Sequence, residues 1–310
     1  MFYTQLNSMK NLLFPLIAVL IWSANAVVSK SAATSIEPGA IAFYRWFVAF
    51  LILTPFILLP VLKQWKTIIP HWWKLLVLGF LGMVLNQSLI YYAAHTVSAT
   101  LIGILTSLIP LLTIILSIFV LRITPTVGII LGSALSLFGL IWLVGKGEPS
   151  TLLENGLGIG DVMMFIASAA YALYGVLTKR WAIPLPNWQA LYIQIGFGVL
   201  LLSPNFMMTE DVQLTSDNIP LVLFAGIPAS IIAPYVWIQG VSRLGANMTS
   251  IFMNLAPVFT AMIAIVVLHE KMYSYHLIGG GIVLAGVMIA QQLRTPINSY
   301  KKQTEKSIKS

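Results

Sequence analysis

Nearly uncharged apolar runs, each roughly 17 to 25 residues long and so sufficient to cross a hydrocarbon core about 30 Å thick, recur from one end of this chain to the other. Of its 310 residues 58% are hydrophobic and only 8% charged, against about 25% charged in soluble domains. A single water-soluble globule cannot bury so much apolar surface. Inside a bilayer every backbone polar group must be satisfied within the protein, which leaves helices or a closed β-barrel. A barrel would show alternating segments of about ten residues, whereas stretches such as Ile109 to Leu121 are apolar all round. The expected class is an all-α integral membrane protein.

Gly, Pro and charged residues divide the apolar length into ten candidate helices, at roughly 11–31, 38–62, 72–94, 97–121, 126–145, 159–181, 187–205, 219–241, 246–268 and 275–293. The seventh is the weakest, carrying Gln194, Gly196 and Gly198, and must pack on protein or a cavity. The first run, Leu12 to Val28, leads through Ser29 and Lys30 into further spans and reads as a retained helix, not a cleaved signal. If the amino terminus is placed in the cytoplasm, most of the 17 Lys and Arg fall on that side: Lys10, Lys63, Lys66, Lys74, Arg122, Lys179, Arg180, Arg243, Arg294 and the four tail lysines. Lys30, Lys146 and Lys271 fall outside, so both termini are expected to be cytoplasmic. The net charge of +8 is accounted for by this asymmetry, and no nucleic-acid partner is expected. The polar, basic tail 294–310 suits contact with anionic lipid. Cysteine is absent, which excludes disulfides and thiolate metal sites.

The stretch Leu78 to Pro110 occurs again at Phe224 to Pro257. An offset of 147 carries Gly79 onto Gly226, Ala99 onto Ala246 and Pro110 onto Pro257. An offset of 149 pairs Trp22 with Tyr171, Asn25 with Tyr174 and Lys30 with Lys179, and further glycine matches join Gly132 and Gly139 to Gly279 and Gly286. Two five-helix copies, 11–145 and 159–293, therefore tile the chain. Five is odd, so the second copy enters the membrane from the opposite side, giving ten transmembrane helices as two inverted five-helix repeats.

The order of these features resembles the ten-helix drug/metabolite transporter superfamily, with the EamA-type domain present twice. The residues that carry the likeness are Trp22 with Lys30, Pro38-Gly39 before Tyr44-Arg45, Tyr91-Tyr92-Ala93-Ala94 leading to Ser98-Ala99, Pro110, Gly160-Asp161, Leu268-His269-Glu270-Lys271, and the run Gly279 to Gly286. The resemblance implies a bacterial inner-membrane carrier, usually an exporter of amino acids, other metabolites or toxic compounds, with a cavity lined from both halves. Gln194 stands where the second copy would match Arg45, so the halves differ chemically there.

Candidate substrate-binding residues are the polar and aromatic side chains at mid-span: Trp22 and Asn25 on the first helix, Gln87, Tyr91 and Tyr92 on the third, and Tyr171 and Tyr174 on the sixth. Tyr235, Trp237 and Gln239 on the eighth helix and Asn254 on the ninth complete the set, with the third-helix group expected to face the eighth-helix group across one cavity. For any single member the plainer alternative is a hydrogen bond between helices, worth about 0.6 kcal/mol. Arg45 is the only cation inside a span, and the family match assigns it a structural or gating role. Pro110 and Pro257 are expected to bend their helices beside the cavity. Gly128 and Gly132 suit close helix packing, within the chain or in a dimer, so the state is a monomer or weak homodimer.

No Asp or Glu lies deep in a predicted helix, Asp161 beginning the sixth and Glu270 ending the ninth, so a buried carboxylate relay is unsupported. His95 and His269 lie at helix ends and read as interfacial. Gly156, Gly158 and Gly160 lack a dinucleotide-binding context, and there is no P-loop. The sequence points to no cofactor, no metal and no enzyme chemistry. The leading reading is a secondary transporter, an exporter of small amino-acid-like or aromatic metabolites working by alternating access. A proton-coupled multidrug efflux pump is the alternative, and a non-transporting membrane receptor or scaffold is the reading from another class.

Overall fold

A computed structural model describes residues 2–122, 124, 126–150, 157–244, 249, 252–293 and 295. Nine helices in this described part are long and apolar enough to span a membrane. They are α1 (Asn11–Ala32), α2 (Pro38–Lys63), α3 (Trp65–Ala93), α4 (Ala99–Val120), α5 (Val127–Val144), α6 (Ile159–Trp181), α7 (Asn187–Met207), α8 (Ile219–Leu244) and α10 (Ser274–Gln292). The shorter apolar helix α9 (Phe252–Leu268) brings the total to the expected ten. The basic tail lies outside the described residues apart from position 295, as does most of the α8–α9 hairpin.

Helix partners reveal the duplication. α2 packs on α7, α4 on α9 and α5 on α10, each helix meeting its own counterpart. α1 lies against α8 and α9, while its counterpart α6 lies against α3 and α4. Both patterns are what a two-fold relation between the copies requires, and with five crossings per copy the copies run in opposite senses.

The backbone irregularities are duplicated as well. α3 widens into a π turn at Phe80–Leu85 and α8 does so at Pro228–Ile232. In α8 Pro228 has no N–H to give the ladder, and Ser230 Oγ donates to Ala225 O at 2.7 Å inside the loosened turn. α4 is interrupted between Ala99–Thr106 and Ile109–Val120, just before Pro110. α9 opens with the 3-10 turn Phe252–Leu255 before Pro257. The two prolines thus break their helices at equivalent levels.

Glycine decides the α5–α10 contact. A Cβ built on Gly132 would lie 2.3 Å from Gly286 O, and one on Gly139 would lie 2.9 Å from Gly279 O. Ser136 Oγ donates to Val283 O at 3.2 Å between them. The glycine faces that the sequence also offered to a dimer contact therefore meet within one chain. Gly132→Val is expected to destabilise the protein by about 1 to 3 kcal/mol through overpacking, seen as a lower unfolding temperature in detergent. An unchanged temperature would mean that α5 and α10 are not in this contact.

Candidate functional site

Arg45, in the second turn of α2, is only 3% exposed. Its Nε donates to Ser230 Oγ at 2.8 Å, and its Nη1 donates to Gln87 Oε1 at 2.6 Å and to Tyr91 OH at 3.3 Å. The guanidinium also lies 4.9 Å from the centre of the Trp46 ring. One side chain of α2 thereby joins α3 of its own copy to α8 of the other. A guanidinium at this depth is costly unless its donors find acceptors, and here the oxygens come from neutral groups. Among the described residues no carboxylate hydrogen-bonds to it.

The network continues into the second copy. Gln87 Nε2 donates to Asn86 Oδ1 at 2.8 Å, and Asn86 Nδ2 donates to Ala167 O of α6 at 2.8 Å. The guanidinium fixes which way the Gln87 amide points, because only its oxygen can accept from Nη1. Asn86 and Tyr91 are sealed in protein, at 2% and 1% exposure.

Beside this network lie aromatic side chains from both copies. Trp22 of α1 packs 5.4 Å from Trp237 of α8, and its Nε1 donates to Ala229 O in the π turn at 3.2 Å. Tyr171 and Tyr174 of α6 lie 5.4 Å from each other, and a Cβ on Gly82, in the α3 π turn, would touch the Tyr174 ring at 3.2 Å. Tyr171 lies within electrostatic reach of Arg45 and is 36% exposed. The accessible face of α6 runs from Tyr171 through Gly175 to Thr178, and a Cβ on Gly175 would meet nothing within 4 Å. Asn25 Oδ1, one turn from Trp22, is buried without a hydrogen-bond partner.

Other candidates lie elsewhere. Tyr92 points to α7, where Asn205 Nδ2 donates to its hydroxyl at 3.5 Å. Tyr235 is 47% exposed and lines a lateral apolar groove of about 340 Å³ with Leu53, Phe56 and Trp188. Gln239 accepts from Arg243 at 3.4 Å near the end of α8. Asn254 donates to Gln291 Oε1 at 3.5 Å, again at a helix end. The expected confrontation of Gln87, Tyr91 and Tyr92 with Tyr235, Trp237 and Gln239 across one cavity is therefore corrected. Helix geometry gives the reason: neighbours one or two positions apart do not share a face, so Tyr91 parts from Tyr92 and Trp237 from Tyr235.

Two participants in the network lie outside the candidate substrate-binding set. Ser230 is not among the candidates, although the Pro228-Ala229-Ser230 triplet inside an apolar run carries both a helix-ladder defect and a hydroxyl. Asn86 stands beside the candidate Gln87 and carries the link from α3 to α6.

Comparison with known proteins fits this architecture. The model of the EamA-like transporter family matches residues 9–145 and again 158–291. The uncharacterized transporter YyaM of Bacillus subtilis is 28% identical over 236 residues, covering 74% of this chain and 76% of its own. A transporter of Archaeoglobus fulgidus is 25% identical over 295 residues, covering 92% and 98%. Protein PecM of Dickeya dadantii is 24% identical over 225 residues, covering 71% and 74%. One solved crystal structure superimposes with a TM-score of 0.58 at 18% identity, over 92% of this chain and 97% of that one, a likeness of fold. With the family domain matched in both halves, and helix pairing that relates those halves by a two-fold axis, this multi-pass membrane chain belongs to the EamA-like transporter family.

Proposed function

We propose that the protein is a secondary carrier that exports small amino-acid-like or aromatic metabolites by alternating access, with both termini in the cytoplasm of a bacterial cell. The aromatic and polar side chains of both copies gathered beside Arg45 support this reading, and we take them as the walls of a chamber between the copies. Its walls offer two kinds of group. Trp22, Trp237, Tyr171 and Tyr174 present ring faces suited to a planar apolar body. Asn25 Oδ1 offers a free acceptor for an ammonium or hydroxyl, and Arg45 behind Tyr171 gives the chamber positive potential. A positive potential suits a substrate bearing a carboxylate better than a lipophilic cation, which favours metabolite export over a multidrug pump. The narrowed site is Trp22, Asn25, Tyr171, Tyr174 and Trp237, with Arg45 and Gln87 as its supporting network and Pro110 and Pro257 as the bends on either side.

Exchange between inward-open and outward-open states is a consequence of the duplication. Two equivalent copies can swap conformations at small energetic difference, so each state is a mirror of the other in how the copies are used. The charge asymmetry of the loops supports an arrangement with the end bearing Lys30 outside the cell and the end bearing Lys179 and Arg180 inside.

A metabolite comparison of cells with and without the protein tests the reading. Aromatic or other amino acids should fall inside the expressing cells and rise in their medium. Equal pools for every amino acid and aromatic metabolite would sink the substrate assignment.

A further inference from the structure

At the end of the bundle that bears Lys30, one carboxylate joins the two copies. Glu270, just beyond α9 in the second copy, reaches across to the start of α4 in the first. Its Oε1 accepts from Ala99 N at 2.7 Å, and its Oε2 accepts from Thr100 N at 3.1 Å and from Thr100 Oγ1 at 2.7 Å. One carboxylate therefore takes up free N–H groups of the first turn of α4, where the helix dipole also favours negative charge. Lys30, at the end of α1, lies within electrostatic reach of Glu270, and its Nζ donates to Ala94 O at the end of α3 at 2.6 Å. Directly beneath, Val27, Ala99 and Ala264 pack into a small buried plug contributed by α1, α4 and α9.

We propose that Glu270 is the outer latch of the transport cycle, a positioning residue whose hold on α4 keeps the external path closed and whose release opens it. The proposal rests on the alternating-access reading above. Three features set this contact apart from an ordinary helix cap. It joins the two copies, which must separate at this end for the chamber to open outward. It is one-sided: the repeat-equivalent position, at the offset of 147, is Ile123, which carries no charge. At the opposite end the described residues tie the copies through Arg180 Nη1 to Val120 O at 3.1 Å and Val127 N to Thr295 O at 3.0 Å, with no carboxylate involved in either bond. Finally, Glu270 borders a cavity of about 990 Å³ at the outer surface, shared with Lys146, Asp161, Lys271 and His276, so water reaches the latch directly. The three charge-assisted bonds that Glu270 accepts stabilise the state closed at this end.

The absence of cysteine makes the test direct. A single Val27→Cys reports the plug from outside, and a single Gly175→Cys, on the open face of α6, reports the chamber from inside. Each is labelled with a membrane-impermeant maleimide, applied to right-side-out or inverted vesicles respectively. Glu270→Gln should raise outside labelling of Val27→Cys about tenfold, the shift expected when one charge-assisted hydrogen bond between two states is lost. It should at the same time lower inside labelling of Gly175→Cys. Thr100→Val removes one of the three bonds without touching the carboxylate and should move both rates the same way by less, which keeps the test alive if Glu270→Gln does not fold. Outside labelling that does not respond to either substitution overturns the proposal, and so does a joint rise of both rates, which means general loosening. The two readings fail separately: a wrong substrate class abolishes amino-acid flux but leaves the reciprocal labelling, whereas a wrong latch leaves flux and removes the response.

Discussion

Arg45→Ala is expected to destabilise the protein by roughly 3 kcal/mol, because each buried acceptor stripped of its donor costs about 1 to 3 kcal/mol. The acceptors left behind are Ser230 Oγ, Gln87 Oε1 and Tyr91 OH, all facing the vacated space. Unfolding in detergent, driven by heat or denaturant, gives the loss. Arg45→Lys is the informative control. It keeps the charge but replaces a planar fork by a point donor, so it cannot hold Ser230 on one copy and Gln87 on the other in the same geometry. The lysine variant should lie between parent and alanine. If Arg45 merely reached toward the membrane surface, lysine would be harmless. A cycle pairing Arg45→Ala with Gln87→Leu should be non-additive, since the two changes break one shared bond.

Trp22→Ala should leave the fold in place and weaken transport, with a loss of about 2 kcal/mol of substrate interaction, or roughly thirtyfold in apparent affinity. The indole supplies a ring face toward Trp237 and a donor to Ala229 O in the π turn. Trp22→Phe separates the two contributions. It keeps the ring and drops the N–H, at about 1 kcal/mol for one neutral hydrogen bond, so a fivefold effect or thereabouts is expected. Uptake into proteoliposomes at varied substrate concentration reads both variants. Equal affinities for parent and Trp22→Ala would place the substrate elsewhere, and the lateral groove at Tyr235 would become the next candidate.

The fold was almost wholly legible because a bilayer simplifies the code. Apolar length measures crossings, and glycine and proline mark their ends. The repeat was legible because Gly79, Ala99 and Pro110 return together at Gly226, Ala246 and Pro257. The site was only half legible, for a geometric reason. Sequence shows which polar and aromatic residues are mid-span but not which face each occupies. Trp22 packs on Trp237 and Tyr171 on Tyr174, while Tyr92 and Tyr235 turn away to α7 and the lateral groove. The π turns add to the difficulty, since each inserts one residue and rotates the rest of its helix by about 100° against an ideal one. The bonds from Arg45 to Ser230 and from Glu270 to Ala99 link residues 185 and 171 positions apart, and no local pattern announces them.

Counterflow in proteoliposomes tests the central claim most directly. Vesicles holding the purified protein and loaded with an unlabelled aromatic amino acid are diluted into a trace of the same labelled compound. An alternating-access carrier returns loaded from both sides, so the label should accumulate transiently above its external concentration and then leak away, and Trp22→Ala should flatten the peak. A trace no different from that of protein-free vesicles, across the amino acids and their aromatic derivatives, would contradict the account.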